Sequence, residues 1–234
     1  MVQINDNLWN QAVTLFNYWF LQFDFPDKDD RPYKTSGGEM HLNRELNLLI
    51  PSDWDVIRIG DICDCRDSER IPLSSIARQE MPGEYPYYGA TEIMDSINQY
   101  IFDDDLVLIA EDGSIMDKKG HPVLQRVSGK CWINNHAHIL QPKEGYSCFL
   151  LYMILKDIPV VKIKTGSIQA KITKDNLMGY KTFSIPLEKR QRFIELTEPI
   201  DRKILEIQAE NNYLNKLRNW ILPMIMNGQA IMAD

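Results

Sequence analysis

The sequence predicts an α+β fold, in which one mixed α/β domain lies between an N-terminal helix and a long C-terminal coiled-coil helix. Short apolar runs separated by Gly, Pro and Asp are typical of strands, and they occupy residues 55–59, 101–110, 131–141 and 180–185. Helical pieces are expected near 149–156 and 174–178, and an apolar heptad pattern marks the end of the chain. The predicted divisions are 1–54 for the first helix and a connecting loop, 55–186 for the domain, and 187–234 for the long helix.

The first helix is predicted from an apolar stripe with helical spacing, formed by Leu8, Ala12, Leu15, Phe16, Trp19 and Phe20. Asn5 or Asp6 is expected to cap its N-terminus, because a short polar side chain can accept from the free backbone N–H groups there. Phe25-Pro26 ends the pattern. The polar residues 27–43 include Gly37-Gly38 and predict a loop without packed structure.

The C-terminal helix is predicted from five apolar residues spaced seven apart, which are Phe193, Ile200, Ile207, Leu214 and Ile221. Such a stripe favours pairing with a partner helix, although packing on the chain's own domain is the alternative. Lys203 and Glu210 interrupt the accompanying seam of Leu196, Leu217 and Met224. Pro199 lacks an N–H and is expected to kink or break the helix.

Composition bounds the class of protein. The longest apolar stretches, 149–155 and 106–110, are far shorter than the roughly 20 residues of a membrane span, so no membrane association is expected. The N-terminus lacks the basic and apolar regions of a secretion signal, which predicts a cytoplasmic protein. The four cysteines have no disulfide-framework spacing and are expected to be free thiols.

The net charge of −7 argues mildly against contact with phosphates, but the charges are unevenly distributed. Residues 162–181 carry five lysines and one aspartate, a local charge of +4, whereas residues 1–55 have a local charge of −5. This segregation allows a basic face on an acidic protein. A solvated lysine-rich surface is an equally good interpretation, so charge alone does not decide the function.

Motifs for catalysis are missing from the sequence. There is no Pro-Pro pair of a methyltransferase catalytic turn, no Gly-x-x-x-x-Gly-Lys-Ser/Thr phosphate loop and no Gly-x-Ser-x-Gly elbow. Glu111 and Asp112 with nearby lysines lack the arrangement of a metal nuclease. We therefore expect no catalytic residues.

A zinc site is the sharpest alternative among metal centres. Cys63 and Cys65 alternate on one predicted strand, and His136 and His138 alternate on another, so each pair could present two ligands on one face. The spacing differs from that of zinc fingers, and such cysteines are often core thiols. We expect no metal.

Four segments of polar and aromatic residues follow one another along the predicted domain. They are Tyr-Pro-Tyr-Tyr-Gly-Ala-Thr (85–91), Leu-Ile-Ala-Glu-Asp-Gly (108–113), Asn-Asn-His-Ala-His-Ile-Leu (134–140) and Thr-Gly-Ser-Ile-Gln-Ala-Lys-Ile (165–172). In this order they resemble the target-recognition domain of type I restriction-modification specificity subunits. The segments 15–26, 185–191 and 217–229 resemble the same family's spacer helix and domain boundaries, so the resemblance covers nearly the whole chain.

The resemblance implies a DNA-binding subunit that directs other proteins. A full specificity subunit carries two recognition domains held apart by two antiparallel spacer helices, whereas this chain predicts one of each. It is therefore expected to be a half-subunit that forms a homodimer through the 193–221 seam, or a fragment of a longer protein. The expected partners are double-stranded DNA, a modification (methyltransferase) subunit and a restriction subunit. No cofactor is expected on this chain, because S-adenosylmethionine, ATP and Mg²⁺ belong to those partners. A stand-alone DNA-binding regulator is the alternative.

The resemblance and the residue chemistry together suggest roles in DNA binding. Lysines would hold phosphates, while amide side chains that form paired hydrogen bonds would read base edges. Tyrosines would line the groove or pack beneath it, and Gly166 would allow a tight turn. The candidate residues are Tyr87, Tyr88, Asn134, Asn135, His136, Lys162, Lys164, Gly166, Ser167, Gln169, Lys171 and Lys174.

Overall fold

The N-terminal segment forms a longer helix than its apolar stripe predicts. The computed structural model describes residues 2–167 and 169–227, and the first helix, α1, spans Val2–Phe16 and continues as a turn of π-helix over Asn17–Leu21. Asn5 and Asp6 lie inside α1, so the predicted N-cap is wrong. Phe16, Trp19 and Phe20 are buried, as the stripe requires.

The predicted loop at 27–43 is wrong at its end, where a hairpin begins. Strand β1 (Met40–Asn43) pairs antiparallel with β2 (Leu48–Pro51). The preceding residues are ordered by hydrogen bonds instead of a packed element. The Asp24 carboxylate accepts from the backbone N–H of Thr35 at 2.8 Å and from its hydroxyl at 2.7 Å.

The described residues between 56 and 183 form twelve strands and four short α-helices, besides turns of 3-10 helix at Asp67–Glu69 and Val160–Lys162. In chain order they are β3 (Val56–Arg58), α2 (Ile59–Ile62), β4 (Cys63–Cys65), α3 (Ser75–Gln79), β5 (Pro82–Tyr88), β6 (Ile93–Ile97), β7 (Phe102–Asp103), β8 (Leu106–Ala110), β9 (Leu124–Val127), β10 (Lys130–Ile133), β11 (Ala137–Pro142), α4 (Cys148–Leu155), β12 (Lys164–Thr165), β13 (Lys171–Ile172), α5 (Lys174–Gly179) and β14 (Lys181–Phe183). β3 pairs with β14, so the two ends of the predicted domain lie side by side.

Most of these strands form two four-stranded sheets, with the orders β6-β5-β10-β7 and β4-β11-β8-β9. Only the β5–β10 pair is parallel among the pairs of these two sheets. Each of the predicted runs 101–110 and 131–141 divides into two strands that belong to different sheets. The β5–β6 hairpin was not predicted as strand, because Pro82 and Pro86 hide the pattern of β5.

Strand β8 lies between two hydrophobic clusters and is buried at every position. Val107 and Ile109 pack in the cluster that contains Leu151 of α4, whereas Leu108 packs in the cluster that contains Phe102 and Ile139. Successive residues of a strand point to opposite faces, so this strand is covered on both sides.

The last helix, α6, runs without interruption over Leu187–Met226, and the predicted helical residues 228–234 lie outside the described residues. The predicted break at Pro199 is therefore wrong, whereas the alternative of a kink there stays a prediction. Pro199 and Glu195 are both exposed, so the Glu195 carbonyl that lacks an N–H partner can bond water. The first half of α6 packs on α1 and is tied to β9 by a two-point ion pair of Arg126 with Asp201, at 2.8 and 3.2 Å. Among the described residues, no helix combines the length and the apolar character that crossing a membrane requires.

Candidate nucleic-acid interface

Three of the four segments singled out in the sequence meet at one end of the second sheet. The backbone N–H of Glu111, just after β8, donates to the carbonyl of His136 at 2.9 Å. The N–H of Ile172 in β13 donates to the carbonyl of Glu111, also at 2.9 Å. Residues more than 20 positions apart are thus joined by main-chain bonds, which brings the loops 111–113 and 134–136 together with the described residues of the 166–170 loop, 166–167 and 169–170.

Charged side chains link the outer surface of these loops. The Asp112 carboxylate lies 2.8 Å from His136 Nδ1 and 3.4 Å from Lys171 Nζ. Asp112 and Lys171 also line a cavity of about 400 Å³ with Gly113, Gln169 and Ala170. The surface therefore offers a carboxylate, an amide, an imidazole and an ammonium group within a small area.

The fourth segment reaches the same area through the tip of the β5–β6 hairpin. Asn134 N–H donates to the Tyr88 carbonyl at 3.0 Å, and its side-chain amide lies 3.5 Å from the sulfur of Met94. Gln125 donates to the carbonyls of Gly89 and Ala90 at 3.0 and 3.1 Å. Met94 is 53% exposed. Met94 was not among the residues predicted from the sequence, because its exposure depends on the pairing of β6 with β5.

Not every predicted DNA-contacting residue is accessible. The exposed ones are Asn135, His136, Lys162, Gly166, Ser167, Gln169, Lys171 and Lys174, while Tyr88 and Lys164 are half-buried and Tyr87 and Asn134 are buried. Gly166 has a φ of +80°, and a Cβ there would lie 2.6 Å from the Gln169 carbonyl oxygen, so the turn requires glycine.

The prediction that Tyr87 and Asn134 contact DNA directly is wrong, because both side chains are buried. The Tyr87 ring is 1% exposed and packs beneath the Arg78 guanidinium, and its hydroxyl accepts from the Leu73 N–H at 3.1 Å. The Asn134 oxygen accepts from the N–H of His136 at 2.8 Å and so shapes its own loop. Both residues support the surface from within. Burial also raises the pKa of Tyr88 to about 12, which keeps its hydroxyl neutral.

The predicted lysine cluster divides between two places. Lys162 lines a separate cavity of about 470 Å³ with Asp175, Asn176 and Lys181, where Lys181 pairs with Glu45 at 3.0 Å. Lys171 lies at the loop surface described above. Lysines close in sequence therefore face different surfaces, because the chain reverses between β12 and β13.

The four residues considered for zinc do not come together. Cys63 is buried and its thiol donates to the Ile59 carbonyl, while His136 binds Asp112 at the loop surface. Cys65 does lie near His138 and Asp67. Both nitrogens of His138 are engaged, however, with the Asp67 carboxylate at 2.5 Å and the Ile172 carbonyl at 2.8 Å. This arrangement fits a protonated imidazole that donates twice, which has no lone pair for a metal.

The predicted dimerisation seam is partly occupied by the chain itself. Phe193 is fully buried against Phe16, Trp19 and Phe20, so its assignment to an intermolecular seam is wrong. Ile207 is 5% exposed, and Ile200 is half-buried. Beyond Ile207 the seam is more open: Leu214 is 39% exposed, and Ile221 is half-buried.

Comparison with known proteins identifies the family. A family model described as the type I restriction modification DNA specificity domain matches residues 51–216. The chain is 25% identical over 248 residues to the MjaIX specificity subunit of Methanocaldococcus jannaschii, covering 98% of this chain and 54% of that protein. It is 22% identical over 188 residues to the EcoDI specificity subunit of Escherichia coli, covering 77% of this chain and 39% of that protein.

A solved structure shares the fold. The type I restriction-modification S subunit from M. genitalium superposes with a TM-score of 0.54 at 14% identity, over 94% of this chain and 54% of that one. The chain spans about half or less of each of these relatives. Since the family model covers more than half of the chain, this protein belongs to the type I restriction-modification DNA specificity family.

Proposed function

We propose that this chain reads one half of a bipartite DNA site and directs a modification subunit, and a restriction subunit where one is present, to that site. The observation that carries the proposal is the convergence of the four recognition-like segments on one surface of a family member. Asn135 and Gln169 are exposed there and can form paired hydrogen bonds with an adenine edge, while Lys171 can hold a phosphate. Catalysis and cofactors belong to the partners in this proposal.

The outer half of α6 supports a second part of the proposal, that two copies pair through this helix. Residues 208–226 extend past the packed half, and Leu214, Tyr213, Trp220 and Leu222 are 39–65% exposed. Exposed apolar residues at heptad spacing favour a partner helix. A homodimer would have twofold symmetry and would read two inverted half-sites, with the helix pair setting the gap between them.

Methylation mapping tests the reading function. Co-expression with the modification subunit of the same system, followed by base-resolved mapping of N6-methyladenine, should reveal one bipartite and symmetric motif. Lys171→Ala should weaken binding to all sequences and reduce its salt dependence, whereas Gln169→Ala should relax one position of the motif. Lys28→Ala is the matched control, because Lys28 is an exposed lysine outside the recognition loops. An absence of methylation would refute the function, and tight site binding without any partner would favour a stand-alone regulator.

Solution size tests the pairing. The dimer should have twice the 27.3 kDa chain mass, and Leu214→Glu should convert it to a monomer because a charge would enter the apolar seam. Gln208→Glu adds the same charge at an exposed position of α6 and should leave the dimer intact. A wild-type chain that is monomeric while it directs methylation would refute the homodimer and leave the reading function standing.

A further inference from the structure

Four charged side chains form a connected network beneath the recognition loops. His138 is 3% exposed, and the side chains of Asp67, Arg70 and Glu111 are 11%, 15% and 24% exposed. Replacing such a network by well-packed apolar residues is often neutral or stabilising, so stability alone is a weak reason for its presence. Its contacts with the loops suggest a different role.

The Arg70 side chain holds the 134–136 loop through backbone carbonyl groups in and beside that loop. One of its terminal nitrogens donates to the carbonyls of Ala137 at 2.8 Å and Asn135 at 3.3 Å, and also to the Glu111 carboxylate at 2.8 Å. Its Nε donates to the Asp67 carbonyl at 3.0 Å. Arg70 therefore fixes both the 134–136 loop and the residue that begins the 111–113 loop.

His138 extends the network to the third loop. It donates to the Ile172 carbonyl on one side and to Asp67 on the other, while Asp67 also accepts from the Ile139 N–H at 2.9 Å. Burial by itself would lower the pKa of His138, but the hydrogen bond to Asp67 and the neighbouring acceptors raise it to about 10. The network therefore joins the Arg70 guanidinium and a protonated His138 to the side chains of Asp67 and Glu111.

We infer that Arg70 is a positioning residue for DNA recognition, which together with Asp67, Glu111 and His138 sets the spacing of the three loops. This inference rests on the proposed function. A lysine cannot replace Arg70, because it provides a point charge where the planar guanidinium reaches several acceptors in fixed directions. Loops held in the bound geometry before DNA arrives lose less conformational entropy on binding, and misplaced loops lose base contacts first.

The test compares Arg70→Lys with Arg126→Lys. Both changes keep the positive charge and remove the planar guanidinium group. Arg126 is the control because its side chain, which is 8% exposed, binds Asp201 of α6 away from the loops. Amide hydrogen exchange should increase in peptides covering 134–137 and 166–172 for Arg70→Lys only. The preference for the mapped motif over a duplex with one altered base should fall about tenfold, which is the scale of one lost base contact. Affinity for unrelated DNA should stay unchanged.

The other outcomes overturn the inference. Unchanged loop exchange in Arg70→Lys would show that Arg70 does not hold the loops. Faster loop exchange with full discrimination would show that their spacing does not govern recognition, and equal losses in both variants would indicate general destabilisation. If Arg70→Lys does not fold, Glu111→Gln keeps the size of the side chain but removes the negative charge that holds the Arg70 guanidinium, so exchange in the same peptides should increase. If the wild-type chain directs no methylation, the proposed function and the recognition role of Arg70 both fail, while the exchange data still decide whether Arg70 holds the loops.

Discussion

Phe193 allows a direct test of whether the first half of α6 is core or interface. Its ring is fully buried, with centroids 5.1 Å from Phe20, 5.9 Å from Trp19 and 6.0 Å from Phe16. A buried Phe→Ala change usually costs about 3–5 kcal/mol, and alanine adds no cost in helix propensity. We expect Phe193→Ala to lower the free energy of unfolding by about 4 kcal/mol and the Tm by roughly 10 °C, since each kcal/mol shifts a chain of this size by about 2–4 °C.

Urea unfolding followed by circular dichroism, at one protein concentration, measures this loss. Leu196→Ala is the matched control on the same helix, because Leu196 is 49% exposed and its loss should change stability by less than about 0.5 kcal/mol. A loss below about 1 kcal/mol in Phe193→Ala would contradict the reasoning. So would dissociation of a dimer without a loss of stability, because that result would place Phe193 in a seam between chains.

Two further predictions concern titrating groups. Because the pKa of His138 is raised to about 10 in the folded chain, its stabilising effect is complete below about pH 6.5 and is lost as pH rises through 10. The difference in unfolding free energy between wild type and His138→Gln should therefore shrink between pH 6 and pH 10, and a constant difference in urea titrations would refute the assignment. Burial raises the pKa of the Cys63, Cys131 and Cys148 thiols to about 12, whereas Cys65 is only half-buried. Alkylation at pH 8 followed by mass spectrometry should therefore modify Cys65 well before the other three. Equal rates would contradict the burial of those three thiols.

Local patterns in the sequence determined the α+β class and most of the helices. The 3.6-residue and seven-residue spacings predicted α1 and α6, and a short apolar run predicted α4, since these signals depend on neighbours along the chain. The family resemblance also followed from the order of segments. Strand β5 was not predicted, because its prolines and its irregular pairing with β6 leave no regular alternation of apolar and polar residues.

Which of the candidate residues share a surface depends on how distant parts of the chain pack together. Arg70 and Asn135 are 65 positions apart, and nothing in the local sequence indicates that the guanidinium reaches that carbonyl. Lys162 and Lys171 are close in the chain but face different cavities. Such contacts depend on how strands pair over long separations, which periodicity does not encode.

The long helix shows both sides of this division. Its heptads establish by themselves that one face must be covered, because apolar surface is unfavourable in water. They do not specify which residues cover that face. Only the folded chain shows that α1 and its neighbours cover Phe193, while the same stripe beyond Ile207 is more exposed at Leu214. The heptad repeat indicates that one face of the helix is buried, and the three-dimensional packing determines which surface covers that face.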